Sequence, residues 1–257
     1  MTTARLGFAA LVAATVPAMA LAPPAAAEGA TWSGEGSISA GVTTGNTETT
    51  DVGVGIDVDR QSQLWTLGLE ALVDYGETDG LETENRFFLA GQIDRQINDR
   101  MYGFARTSYE RDEFSGFESR TFIGGGLGYQ ILKGDNATWS VEGGPGLKID
   151  EVRETSRTLM DGTVVPVEAT TEESVSAIGA SNFRYDFNDN VALTNNTDLL
   201  YAQESTQLGN VIALTATLTE TLSARISLDV RHDTNPPSGF ESTDTATRFS
   251  LVYTLGD

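Results

Sequence analysis

Residues 222–231 read Leu222-Ser223-Ala224-Arg225-Ile226-Ser227-Leu228-Asp229-Val230-Arg231, an apolar side chain at every second position and a polar or charged one between. Successive side chains leave a β-strand on opposite sides, so this stretch makes a strand with one greasy face and one charged face. The period recurs along the chain. Val52, Val54, Ile56 and Val58 alternate with Asp51, Gly53, Gly55, Asp57 and Asp59, and Trp65, Leu67, Leu69, Ala71, Val73 and Tyr75 alternate with Thr66, Glu70 and Asp74. Ile123, Leu127, Tyr129 and Ile131 continue it, as do Trp139, Val141, Leu147 and Ile149, then Phe183, Tyr185 and Phe187, and last Phe249, Leu251, Tyr253 and Leu255. The expected class is all-β.

Turn-forming residues punctuate these stretches: Thr44-Gly45-Asn46, Asp79-Gly80, Asn98-Asp99, Ser115-Gly116, Gly134-Asp135-Asn136, Asn188-Asp189-Asn190 and Asn235-Pro236-Pro237-Ser238-Gly239. They divide the chain into about twelve strands, expected over 31–43, 48–61, 63–76, 83–96, 100–112, 118–132, 137–151, 171–187, 190–203, 206–219, 221–233 and 243–255. An even number of long antiparallel strands suits a single up-and-down transmembrane barrel. Connection lengths agree: every second one is tight, as at Gln61-Ser62 and Thr219-Glu220, whereas those between run longer, as at Glu113 to Phe117, Arg153 to Thr170 and Thr234 to Ser242. The Arg153 to Thr170 insert, with Asp161-Gly162 at its middle, is expected to project as a hairpin.

Alternation alone does not say whether the apolar face meets a core or lipid. The competing fold is a soluble periplasmic β-barrel or sandwich that binds a small ligand. Three features favour lipid. A barrel of about twelve strands is too wide to fill with Val and Leu. The aromatics Trp65, Tyr75, Tyr102, Tyr109, Trp139, Tyr185, Phe187, Tyr201 and Tyr253 fall near strand ends, as in interfacial girdles. The opposite face carries charges in mid-strand, which a wet lumen tolerates.

Residues 1–27 differ from the rest: Arg5, an apolar run from Leu6 to Val16, then Pro and Ala. That run is too short to span a bilayer and reads as a signal peptide, with cleavage between Ala20 and Ala27 and Ala27 preferred, followed by the barrel over 28–257. The expected location is the outer membrane of a Gram-negative bacterium.

The chain of 257 residues has 16 basic and 37 acidic side chains, a net charge of -21 that repels phosphate backbones and disfavours nucleic-acid partners. It has no Cys and one His, which removes thiol nucleophiles, disulfides, thiolate metal sites and two-His sites. The expected partners are outer-membrane lipid, lipopolysaccharide and the barrel assembly machinery; no residue pattern specifies an oligomeric state.

Five stretches carry a resemblance: Thr43-Thr44-Gly45-Asn46-Thr47-Glu48-Thr49, Tyr75-Gly76-Glu77-Thr78-Asp79-Gly80, Tyr109-Glu110-Arg111-Asp112-Glu113-Phe114, Gly124-Gly125-Gly126-Leu127-Gly128-Tyr129 and Glu142-Gly143-Gly144-Pro145-Gly146. The sequence resembles the domain-of-unknown-function family 481, also called salt-induced or acid-inducible outer-membrane proteins. The resemblance implies an outer-membrane β-barrel and supplies no catalytic residues; its name records a stress response.

Parity assigns the inward face. Asp57, Glu70, Asp74, Asp94, Glu110, Glu142 and Asp229 are expected to line the lumen with Arg86, Arg106, Arg120, Lys148, Arg184, Arg225 and Arg231, and Asp59, Asp150, Asp186 and Asp198 share that parity. Such charges either fill the barrel as ion pairs or line a weakly cation-selective pore. Gly124, Gly126, Gly128, Gly144 and Gly146 make a side-chain-free inward strip; it is read as a site of curvature with a bulge at Pro145, or as a seat for the 153–170 insert.

Enzyme, cofactor and metal readings are weaker. A lipid hydrolase would need His232 as base, with Asp233 and Asn235 near it, but the flanking sequence offers no serine nucleophile, so an interfacial rim His and no catalytic residue are expected. Glu77, Asp79, Glu82 and Glu84 crowd one loop without the spacing of a calcium loop and are read as solvated. The Gly-rich stretches lack the helix and Lys of nucleotide loops, so no cofactor is expected.

Overall fold

Side chains that alternate at period two favour extended backbone, and in the computed structural model, which describes residues 30–44, 49–78, 81–158, 164–203, 205–237 and 240–255, every regular element is a strand. In chain order these are β1 (Thr31–Thr44), β2 (Thr49–Gln61), β3 (Trp65–Thr78), β4 (Leu81–Gln96), β5 (Met101–Asp112), β6 (Phe117–Lys133), β7 (Ala137–Val152), β8 (Thr155–Thr158), β9 (Val164–Val167), β10 (Thr170–Asn188), β11 (Val191–Ala202), β12 (Thr206–Thr217), β13 (Leu222–Asp233) and β14 (Thr243–Leu255). All but β8 and β9 form one closed antiparallel barrel of 12 strands, with each strand beside its sequence neighbour. β1 closes it by pairing β2 on one side and β14 on the other, from Gly34↔Leu255 to Thr44↔Thr245. Closure leaves no unpaired sheet edge. The expected hairpin in the insert is present as β8 paired with β9, Thr155↔Val167 to Thr158↔Val164.

Thr31 and Leu255 lie at one end of the barrel, called here the terminal end. Its connections are tight: Ser62 N donates to Trp65 O at 2.8 Å, Gly134 N to Ala137 O at 3.0 Å and Leu218 N to Leu222 O at 2.8 Å. The longer connections, including 153–169 and 234–242, gather at the opposite, loop end. Residues 1–27, Gly45-Asn46, Asp79-Gly80, Asp161-Gly162 and Ser238-Gly239 are outside the described residues, so the expected signal peptide and the turns expected there are too.

The apolar face points out. Ile38 is 68% exposed, Val54 55%, Ile123 56%, Leu147 56% and Phe249 64%, whereas Asp51 and Asp74, of opposite parity on β2 and β3, are 1% and 0% exposed. A soluble β-barrel would hide the first set and hydrate the second. An apolar band that runs around a whole protein is far beyond what soluble monomers leave exposed, and it suits a hydrocarbon surround.

Two expectations about the wall are corrected. Pro145 makes no bulge: Gly124↔Gly146 and Leu127↔Gly143 keep one register across β6 and β7, and Pro145 stays opposite Ala177 on β10. β6 and β7 instead pinch together, since a Cβ on Gly126 would strike the backbone of Gly143 and one on Gly144 the backbone of Gly125. The glycine strip does not wait for the insert either. The Phe122 ring lies on Gly124 and Gly146, and the Tyr102 ring on Gly128. Tyr102 therefore leaves the girdle set: it is 8% exposed and faces inward with Phe104, Phe122 and Ile178. Trp65, Tyr75, Tyr109, Tyr185, Phe187, Tyr201 and Tyr253 remain exposed.

Candidate functional site

The inward face is built by the same parity that greases the outside, and several of its charges, such as Arg248 with Asp51 and Arg106 with Asp198, meet partners on strands that are not neighbours, which is possible only through the interior. At the loop end Arg248 of β14 is the hub. Its Nε lies 3.4 Å from Asp51 Oδ2, its Nη2 3.4 Å from Asp74 Oδ2 and 3.5 Å from Glu84 Oε1, and its Nη1 3.6 Å from Asp229 Oδ2. Arg86 joins Asp74 at 3.4 Å and Glu110 at 2.6 Å. Arg231 joins Glu110 at 3.6 Å and Asp229 at 2.9 Å. Six strands, β2 to β5 with β13 and β14, are thus tied by one lattice. Charges this buried persist only when paired, and removing one partner typically costs about 3–5 kcal/mol.

Asp51, Asp74 and Glu84 bring carboxylate oxygens within 4.8 Å of one another, a spacing that suits a cation. The Arg248 guanidinium already contacts all three. Arg248 thus supplies the positive charge that a metal would bring.

Along the opposite wall, Lys148 Nζ meets Asp150 Oδ2 at 2.6 Å and donates to Ser205 Oγ at 3.0 Å. Arg120 pairs with Asp233 at 3.1 Å, from β6 to β13. At mid-depth Arg106 of β5 donates from Nη1 to Asp198 Oδ1 of β11 at 2.8 Å.

Toward the terminal end acid prevails. A cavity of about 450 Å³ is lined by Asp57, Asp59, Glu70, Asp94, Glu142 and Asp198, with Arg106 as the guanidinium among its lining residues. Gln92 Nε2 donates to Asp94 at 3.0 Å and to Glu142 at 2.9 Å, and the Tyr102 hydroxyl donates to Glu142 at 2.8 Å. A second cavity, of about 270 Å³, lies toward the loop end and shares only Arg106 and Asp198 with the first.

Of the residues expected in the lumen, Asp74, Arg86, Glu110, Asp229 and Arg231 converge in the Arg248 lattice, and Asp57, Glu70, Asp94, Glu142 and Arg106 surround the acidic cavity. Arg120 and Lys148 pair as described, Arg225 Nη2 reaches Glu35 at 2.6 Å, and Arg184 sits exposed beside Asp186 at 2.6 Å. Sequence reasoning omitted Asp51 and Arg248, although their alternation with Val52 and Phe249 carried the signal. It left Glu84 in an acidic loop with Glu77 and Glu82; those two are exposed, whereas Glu84 turns inward. Asp79 is outside the described residues. His232 Nδ1 pairs with Thr243 Oγ1 at 2.9 Å, while Asp233 goes to Arg120 and Gln207, so no His–Asp pair forms there.

The family model described as "Protein of unknown function, DUF481" matches residues 36–255. The chain belongs to this family. A curated relative, the "Uncharacterized protein YdiY" of Escherichia coli (strain K12), is 24% identical over 174 residues, 67% of this chain and 63% of that protein, so the match spans under two thirds of the relative's length. Among solved structures, the fold is similar to the NanC porin (TM-score 0.54, 12% identity, 86% of this chain and 100% of that chain). It is also similar to the translocator domain of the autotransporter NalP from Neisseria meningitidis (TM-score 0.52, 12% identity, 88% of each chain). These likenesses show a shared β-barrel fold.

Proposed function

We propose that the chain is exported by its first 27 residues, assembled by the barrel machinery into a Gram-negative outer membrane amid lipid and lipopolysaccharide, and acts there as a narrow cation-preferring channel without enzyme activity. The observation that carries this reading is the acidic cavity, lined by six carboxylates and one guanidinium, that of Arg106. A ring of carboxylates concentrates cations and repels anions in a pore. In this reading the terminal end faces the periplasm, and the Arg248 lattice and the Arg106–Asp198 bridge keep conductance low.

The test is the reversal potential of the refolded chain in planar bilayers under a salt gradient. A sign that reports cation preference supports the reading. Anion preference, or complete absence of channel steps, contradicts it.

A further inference from the structure

Lumens of water-filled barrels are polar, yet the cavity of about 270 Å³ near the loop end has an apolar wall. Phe88 of β4, Phe122 of β6, Ile178 of β10 and Leu200 of β11 all turn inward around it. The glycines of β6 and β7 explain why Phe122 lies flat. They do not explain Phe88 or Leu200, which sit on other strands.

The cavity also has a roof. The segment after β13 places Pro236, Pro237 and Phe240 over it, with Phe240 N bonded to Pro237 O at 3.1 Å. This segment reaches the turn between β5 and β6. There Gly116 adopts φ +80°, and a Cβ on it would come 2.6 Å from the Phe240 ring and 3.0 Å from Pro237. β5 and β6 lie far around the barrel from β13 and β14, so the roof crosses the mouth.

The wall that faces the rings is charged, and its charges are engaged: Arg120 with Asp233, Arg86 and Arg231 with Glu110, and Arg106 with Asp198 as the floor, while Asp112 accepts from Phe114 N at 2.9 Å and Glu241 and Asp244, which also line it, have partners of their own. Matched pairs offer hydrogen bonds to a polar group, while a guest with a net charge would have to compete with a partner already in place.

We infer that this chamber binds a small uncharged molecule with one apolar face and one hydroxylated face, the former against Phe122 and Leu200 and the latter toward the ion pairs. Its volume is close to the lower end of small-molecule sites, about 300–1,000 Å³, and an apolar wall with a few oriented polar groups is their usual lining. The inference does not depend on whether the barrel conducts.

The probe is 2-naphthol, uncharged at neutral pH, titrated by calorimetry into the detergent-refolded chain from residue 28 onward. The expected result is saturable one-to-one binding. Leu200→Trp, which fills the chamber, should weaken it about tenfold or more, and 2-naphthalenesulfonate, the anionic analogue, should bind about tenfold more weakly than the naphthol. Heat-modifiable gel migration reports whether Leu200→Trp still folds. Phe240→Ala, which removes part of the roof and lies outside the barrel wall, should also weaken binding by several fold. Unsaturable uptake that is identical in all three proteins overturns the inference, because it reports the micelle alone. Equal binding of the sulfonate overturns the assigned ligand class.

Discussion

Arg106 Nη1 and Asp198 Oδ1 are joined at 2.8 Å between β5 and β11, and these two residues belong to both interior cavities. The bridge is therefore the partition between an acidic chamber toward the terminal end and a half-apolar one toward the loops.

Parting that bridge should open the lumen. Arg106→Ala removes the barrier together with the guanidinium of the acidic cavity, so single-channel conductance should rise by about twofold or more and cation preference should increase. Asp198→Asn should raise conductance less and lower cation preference. Conductance unchanged in both variants would contradict the partition.

Arg248 holds Asp51, Asp74 and Glu84 in a part of the interior where Asp51 and Asp74 are fully buried. Arg248→Met should destabilise the barrel by about 3–5 kcal/mol, because four carboxylates, Asp229 among them, lose a shared counter-charge. Arg184→Ala, at an exposed pair, should change stability by no more than about 1 kcal/mol. Urea midpoints of heat-modifiable migration compare them, and equal loss in both would contradict the lattice.

Glycines on the wall are not equivalent. A Cβ on Gly126 strikes the backbone of β7, so Gly126→Ala should cost about 1–3 kcal/mol. A Cβ on Gly209 of β12 meets nothing within 4 Å, and Gly209→Ala should be neutral or stabilising by about 0.4–1 kcal/mol. The reverse order in the same urea series would contradict the pinch between β6 and β7.

Gly116→Ala meets both a left-handed backbone and the Phe240 ring. It should release Pro236, Pro237 and Phe240 from the mouth and speed proteolysis near them on the intact, membrane-inserted chain, while the barrel stays folded. Cleavage at the original rate would contradict the latch.

The wall of the barrel is legible in the sequence because alternation is a local property. The alternation that begins at Leu222 is enough to delimit β13 as far as Asp233, and the same parity holds Arg248 inward beside outward Phe249 and Leu251. Residue type, taken over parity, misplaces two side chains. Tyr102 looks like a girdle aromatic, although Arg106 four residues on shares its inward side; Glu84 looks like a loop acid because Glu77 and Glu82 are close in sequence. Pro145 misleads for another reason: the glycines opposite it let β6 and β7 close up without a change of register. Which charges meet across the interior, such as Arg120 with Asp233, depends on barrel radius and stagger, and alternation does not encode these. The roof is equally hidden, because it depends on the Gly116 turn meeting a loop from the far side.

The central claim is that apolar side chains face acyl chains and charged ones face enclosed water. The chain has no native Cys, so single cysteines can be placed at will. Spin labels at successive positions from Ile226 to Val230 of the refolded chain in lipid should alternate. Labels at 226, 228 and 230 should be relaxed by lipid-soluble oxygen, and those at 227 and 229 should be shielded from it. The opposite phase, or no alternation along β13, would contradict the claim.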